Sequence, residues 1–329
     1  MKSSSNLFPV RLLRAEVIGD LTDDVYLVKH RRDPSDPDVE VAVSHIGIYG
    51  KDSKGKQPIV LVHGSFTNRG FWISATGVGL ARYLAEQGFD IWLLEMRGHG
   101  LSPRNQTYKD NNIERYVSSD VPAVNDFIIE KTGMKPIWAG HSLGGVVIST
   151  ALASGNLAEI DVNGIALFGT QVVRRRLGLQ IPFVPSLGKL WFTFKQHEMD
   201  GRKLGIGPEN EPAGIAKEYL NWMGLLGKWR LKSNKTPLKN KWQGLSIPVL
   251  AMVGKDDQSD PAKYCKTFFD WCGSEQKEFK LLAADEGYSR NYGHVDMIVS
   301  KEAAEEVWPS IAEWFNNISP SAISTGNEK

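Results

Sequence analysis

The sequence is poor in cysteine, in net charge and in long apolar runs. Cys265 and Cys272 are its only cysteines in 329 residues, which excludes a disulfide framework and a four-cysteine zinc site. They stand seven apart in KYCKTFFDWC, a stretch with helical spacing, so they lie two turns apart, too far for a bridge, and read as packed thiols. Thirty-nine Lys and Arg meet thirty-eight Asp and Glu, a formal net charge of +1, so no basic nucleic-acid footprint covers the whole chain. No stretch reaches the roughly 18 apolar residues of a membrane span. Arg11 and Arg14 interrupt the only early apolar run, leaving no secretory h-region, and the expectation is a soluble cytoplasmic protein. There is no internal repeat and no low-complexity block beyond the polar tail NNISPSAISTGNEK.

What is present is globular. A chain that is 41% hydrophobic and 23% charged is not disordered, and its length allows one large domain with an insertion, or two domains. Short apolar runs recur between turns: 58–62, 89–94, 136–139, 164–168 and 247–253, with a last one at 279–282. Most are continuous rather than alternating, which suits strands buried on both faces of a parallel sheet. Helical periodicity separates them over 79–86, 113–131 and 302–316. Strands alternating with helices mean βαβ units and a mostly parallel sheet with helices on both faces. Residues 39–48 read as an extra early strand, in antiparallel pairing.

One interval breaks that rhythm. About 75 residues separate the run ending at Phe168 from the run starting at Ile247, far more than a crossover needs. The interval is read as an inserted helical cap at 171–242, with a helix over 213–228. The core is then split into 1–170 and 243–317, followed by a flexible tail at 318–329. Between Gln171 and Trp242 fourteen Lys and Arg face five Asp and Glu, so the cap is strongly basic, and it holds Trp191, Trp222, Trp229 and Trp242.

The sharpest local signal is Ala139-Gly140-His141-Ser142-Leu143-Gly144-Gly145, which follows an apolar run and precedes VVISTALAS, a helical stretch. Alone, G-x-S-x-G arises by chance in about one chain in ten of this length. Set between a strand and a helix it gains weight. A serine hydroxyl is a weak nucleophile until a base takes its proton. A sharp turn exposes Ser142, Gly140 and Gly144 let neighbouring backbone pass closely, and the helix N-terminus points amides at developing negative charge.

The base should be a histidine. In this kind of arrangement the chain order is Ser, acid, His, and of seven histidines only His197 and His294 follow Ser142. His197 falls in the cap. His294 sits in Asn291-Tyr-Gly-His-Val-Asp-Met297, a loop between the last strand-like run and the final helix, and is the candidate. The acid should lie in Gly254-Lys-Asp-Asp-Gln-Ser-Asp-Pro261. Asp257 is preferred, Asp256 stays open as the acid or as the residue closing the turn, and Asp260 before Pro261 looks like a helix cap. Val62-His63-Gly64-Ser65-Phe66 follows the first strong run and offers an oxyanion amide at Ser65 or Phe66, the second donor being Leu143. His63 is read as bracing this loop, and His99 in Glu95-Met-Arg-Gly-His-Gly-Leu-Ser102 as part of a structural turn.

HGSFTNRGFW, EMRGHGLS, GHSLGG, VGKDD and YGHVDM stand in the order and at about the spacing of the α/β-hydrolase superfamily, and they resemble its esterase and lipase branches. The resemblance runs from about Pro58 to Trp314. It implies the α/β-hydrolase fold, a Ser142–Asp257–His294 triad, a helical cap after the sixth strand of that fold, and no metal or organic cofactor. GHVDMIV and the helix after it are similar to the C-terminus of acid-lipase-like members. The activity implied is hydrolysis of a small-molecule carboxylic ester through an acyl-enzyme. The same triad also serves thioesterases, lactonases, C–C bond hydrolases and acyltransferases, and the scaffold can serve as a non-catalytic binding module. The basic, Trp-rich cap is compatible with an anionic or acyl-carrier substrate, or with weak contact on an anionic membrane surface.

Overall fold

The computed structural model describes residues 3–319 apart from 176, 182, 196, 224–226 and 234–236. Among these, strands β1 (Val10–Ile18), β2 (Leu21–Val28), β3 (Val41–Ile48), β4 (Pro58–Val62), β5 (Asp90–Glu95), β6 (Ile137–His141), β7 (Gly164–Phe168), β8 (Glu198–Asp200), β9 (Asn210–Pro212), β10 (Val249–Gly254) and β11 (Lys277–Leu282) follow in chain order. Nine of them form one sheet, ordered β1-β2-β3-β5-β4-β6-β7-β10-β11. From β5 to β11 every neighbour is parallel. The first three strands pair antiparallel, and β3 joins β5 antiparallel.

Continuous apolar runs became the central strands for the reason they suggested. Every residue of β4, β5, β6, β7 and β10 is buried. Successive side chains point to opposite faces, so one strand feeds two cores. Val60 and Val62 face the core holding the helices Val121–Thr132 and Leu143–Ser154. Ile59 and Leu61 face the core holding Leu80–Glu86 and Trp308–Ile318. In two places the helical ladder opens into a π-helical turn, at Tyr116–Asp120 and Ala303–Val307, and each is followed by a helix with proline in its first turn. Pro122 and Pro309 have no N–H to give, which removes the bond that would keep the ladder regular there.

The strand read over 39–48 is β3, and it is antiparallel to both neighbours. The β1–β2 hairpin ahead of it was not expected. Its two-residue turn, Gly19-Asp20, joins the paired residues Ile18 and Leu21.

Between β7 and β10 the chain leaves the sheet. This interval carries the helices Val184–Phe194, Gly201–Leu204, Ala213–Met223 and Lys239–Trp242. It is not purely helical, because β8 and β9 pair antiparallel within it. The helix expected over 213–228 is described over Ala213–Met223; residues 224–226 of that expectation lie outside the described residues, and 227–228 are not helical. At the C-terminus the last helix runs to Ile318, and residues 320–329 of the expected tail lie outside the described residues.

Candidate active site

Ser142 stands between β6 and the helix Leu143–Ser154 with φ 49° and ψ −114°, a left-handed backbone that a non-glycine residue rarely holds. Such strain persists only where the surroundings enforce it. The enforcement is visible at Gly144, where a Cβ would sit 2.3 Å from the Val62 carbonyl oxygen. The helix start is pressed onto the end of β4, and no larger residue fits. Gly64 closes the same corner, since a Cβ there would sit 2.8 Å from His141 Nδ1 and 3.3 Å from Ser142 Cβ. The loop after β4 is thereby held against the serine.

His294 and Asp257 reach this corner from the loops after β11 and β10. His294 Nδ1–H donates to Asp257 Oδ2 at 2.7 Å. A carboxylate only accepts, so the proton sits on Nδ1 and Nε2 keeps a free lone pair. Burial disfavours imidazolium, but the Asp257 hydrogen bond and the charges of Asp257 and Asp260 outweigh it, and the His294 pKa lies above its ordinary value. His141 holds the loop that presents His294: its Nε2–H donates to the His294 carbonyl at 2.8 Å, and its ring packs on Phe71. Burial, then the nearby His294, pushes the His141 pKa well below normal and keeps it neutral.

Asp256 is exposed and makes no side-chain contact with His294; only its backbone is engaged, donating to the Tyr292 carbonyl. Asp260 is not the helix cap that its place before Pro261 suggested, since the helix Ala262–Trp271 starts at Pro261 without a side-chain cap bond. Instead its carboxylate turns inward. The Ser142 hydroxyl donates to Asp260 Oδ2 at 3.2 Å, and Gln171 Nε2 donates to Asp260 Oδ1 at 2.7 Å. Sequence reasoning missed both contacts and also the role of His141.

Of the oxyanion candidates, Leu143 is the first residue of the helix and Ser65 lines the same cavity as Ser142. Phe66 is corrected as a donor in this arrangement. Its amide is committed to Glu211 Oε1 at 2.8 Å, while its carbonyl accepts from Glu209 N, and this clamp holds Phe66 at φ 60°. Glu211 also accepts from His99 Nε2 at 3.2 Å. His63 braces the loop: Nδ1–H donates to the Gly64 carbonyl and Nε2 accepts from Met96 N. Burial and the charge of His99 lower its pKa to about 3, so it stays neutral.

Ser142, His294 and Asp260 share one cavity of about 570 Å³. Its outer wall comes from the interval between β7 and β10 and is mostly apolar, with Leu179, Phe192, Ile206, Ile215 and Leu220 among its residues. His197, the other histidine after Ser142, is exposed and does not line it. Among the described residues no three His, Cys, Asp or Glu side chains converge as a metal site.

Residues 57–182 match the family described as alpha/beta hydrolase fold. Rat gastric triacylglycerol lipase is 34% identical over an alignment taking in 80% of this chain and 83% of that protein. The human enzyme of the same name is 33% identical over 192 residues, which take in 53% of this chain and 45% of that relative's length. Among solved structures, a monoacylglycerol lipase of Paleococcus ferrophilus superposes with a TM-score of 0.56 at 18% identity, covering 81% of this chain and 97% of that one. A cold-adapted esterase from an Arctic intertidal metagenomic library gives 0.57 at 13% identity, covering 94% and 98%. Likeness at such identities speaks for the fold, and the rat relative speaks for descent. The chain belongs to the α/β-hydrolase-fold family, among its lipase- and esterase-like members.

Proposed function

We propose that the protein hydrolyses carboxylic esters, with Ser142 as nucleophile, His294 as base and Asp257 as the acid that orients it. The observation that carries this reading is the 2.7 Å bond from Asp257 to Nδ1 of His294, which lines the same cavity as the strained Ser142. The serine hydroxyl turns from Asp260 to His294 Nε2, gives up its proton and attacks the ester carbonyl. The amides of Leu143 and Ser65 take the oxyanion charge. His294 then hands the proton to the leaving alcohol, and water activated by the same imidazole releases the acid. The apolar outer wall suits an acyl chain.

The test is covalent. A fluorophosphonate should label the full chain once, on the peptide containing Ser142, and p-nitrophenyl esters of graded length should be turned over with an optimum set by the cavity. Labelling on a different serine would sink the assignment.

The partner part of this reading is contact with a lipid–water surface. In the helix Val184–Phe194 the residues Leu187, Leu190, Trp191 and Phe194 share one face, and all are exposed, Phe194 at 70%. Phe183 just before it is 79% exposed. Such a patch beside a cavity wall, in a basic segment, suits an anionic surface. Replacing Leu187 and Phe194 together by Glu should lower co-sedimentation with anionic vesicles by about tenfold or more, and raised salt should weaken wild-type binding. Equal sedimentation of both proteins would refute the contact. The cytoplasmic location belongs to the proposal too, supported by Cys265 and Cys272, which are buried free thiols, as a reducing compartment allows.

A further inference from the structure

The resting nucleophile is not bonded to the imidazole. Its hydroxyl donates to Asp260 Oδ2, a carboxylate that the triad does not include. Asp260 is firmly held. Gln171 Nε2 donates to its other oxygen at 2.7 Å, and the Gln171 Oε1 in turn accepts from the amides of Val173 and Arg174, where the chain leaves the sheet after β7. The Asp260 amide donates to Asp257 Oδ1 at 2.7 Å, so the two carboxylates are locked in register. One oxygen of Asp257 fixes the imidazole, and the other fixes the backbone of Asp260.

We propose that Asp260 is a positioning residue of the reaction centre: it parks the Ser142 hydroxyl between turnovers and places a second negative charge beside the imidazole that must take the serine proton. The proposal rests on Ser142, His294 and Asp257 acting as set out above.

The groups facing Asp260 come from six places along the chain. They are Ser142, Gln171, the pair His294 and Asp257, Tyr219 of the helix Ala213–Met223, and Cys265 of the helix Ala262–Trp271. Arg174 lines the same cavity, with its guanidinium on the carbonyls of Gln258 and Ser259. Tyr219 and Cys265 are pushed well above their usual pKa, chiefly by burial, and stay neutral. Burial, aided by the charge of Asp257, raises the pKa of Asp260, while His294 and the bonds from Gln171 and Ser142 favour its charged form. The imidazole therefore sits between two carboxylates, one bonded to Nδ1 and one on the side of the serine. The second charge has opposed effects. It stabilises the imidazolium formed during attack, and it keeps the resting ring protonated, and so unable to act as base, up to a higher pH. Turning a serine rotamer costs no slow step, so parking does not block the reaction.

The sign is fixed. The acid limb of activity reports loss of the proton from His294 in the free enzyme. Removing a neighbouring negative charge lowers the imidazole pKa, so the limb must move to lower pH. A single charge at this range moves a pKa by about one unit.

The experiment measures, against pH, the second-order rate of Ser142 labelling by a fluorophosphonate and kcat/KM for p-nitrophenyl butyrate, on the full chain. Asp260→Asn should shift the acid limb of both profiles down by about one pH unit, with KM changed less than twofold, and Asp260→Glu should leave the limb near its wild-type place. A limb in Asp260→Asn that coincides with wild type overturns the proposal, and so does an equal shift in Asp260→Glu. If Asp260→Asn is not recovered folded, Gln171→Leu reads the same device. Losing the Gln171 donor favours neutral Asp260, so the limb must again move down, and coincidence with wild type again overturns it. Failure of the wild-type protein to label at Ser142 would instead strike the nucleophile assignment, which keeps the two failures apart.

Discussion

Asp257→Asn is expected to lower kcat/KM by about ten-thousand-fold while the protein stays folded. The loss follows from hydrogen-bond polarity. Asp257 accepts from His294 Nδ1–H at 2.7 Å, which leaves the Nε2 lone pair for the serine proton. The amide group of Asn can donate to Nδ1 instead, which moves the ring proton to Nε2 and removes the base. The Oδ1 atom of Asn still accepts the Asp260 amide, so the loop keeps its anchor. Asp256→Asn is the control. That side chain is exposed and does not touch the imidazole, so its kinetics should stay within about twofold of wild type, as surface substitutions usually do. Circular dichroism and kcat/KM for one p-nitrophenyl ester, measured on both variants, decide between the two neighbouring carboxylates. A severe loss in Asp256→Asn with little in Asp257→Asn would reverse their roles.

The sequence pointed to Asp257 through its place after Gly254, at the end of an apolar run. It could not show what Asp260 does, because the same run of residues permits a helix cap or an inward carboxylate. Only the approach of Gln171, eighty-nine positions away, selects the second. The pattern of continuous apolar runs exposed the central strands for a related reason. Burial on both faces removes polar residues, and the resulting run is visible without knowledge of any partner. The β1–β2 hairpin carries no such mark. β1 is exposed along most of its length, and β2 alternates buried with half-buried residues that include Asp23 and Asp24. Gly19-Asp20 between two β-rich runs was the available signal. The strands β8 and β9 have three residues each, too few for any periodicity to register. They matter nonetheless, since β9 carries Glu211, whose carboxylate takes the Phe66 amide. That contact is why one proposed oxyanion donor was lost.

The largest effect on stability is expected at Arg97, in the turn the sequence marked as structural. Its guanidinium is fully buried. It donates from Nε to Asp120 Oδ2 at 2.8 Å and from Nη2 to Asp120 Oδ1, and from Nη1 to Asp33 Oδ2 at 2.6 Å. His30 adds a bond to Asp120 at 2.9 Å. Burial alone would raise the Asp33 pKa, but the bonds from Ser35 and Arg97 hold it down to about 2. Arg97→Met fills similar space yet leaves two interior carboxylates without the guanidinium that bridges them, only Arg115 remaining at 3.8 Å from Asp33, which costs about 3–5 kcal/mol in urea unfolding at pH 7. A carboxylate whose folded pKa is depressed stabilises the protein above its unfolded pKa, and that contribution fades as pH falls through the folded value. The gap between wild type and Arg97→Met should therefore be widest at neutral pH, narrow as falling pH protonates the carboxylates that the variant leaves without Arg97, and level off near pH 2, where wild-type Asp33 takes up its proton. Replacing Asp33 and Asp120 by Asn in the Arg97→Met background removes the orphaned charges and should recover part of the loss at pH 7. A gap that is the same at both ends of the pH range, with no recovery in the triple variant, would mean that shape rather than charge holds this turn. The turn also carries His99 onto Glu211, and Glu211 holds the loop beside Ser142. Partial loosening at Arg97 should consequently appear first as slower labelling of Ser142, at urea concentrations below the unfolding transition.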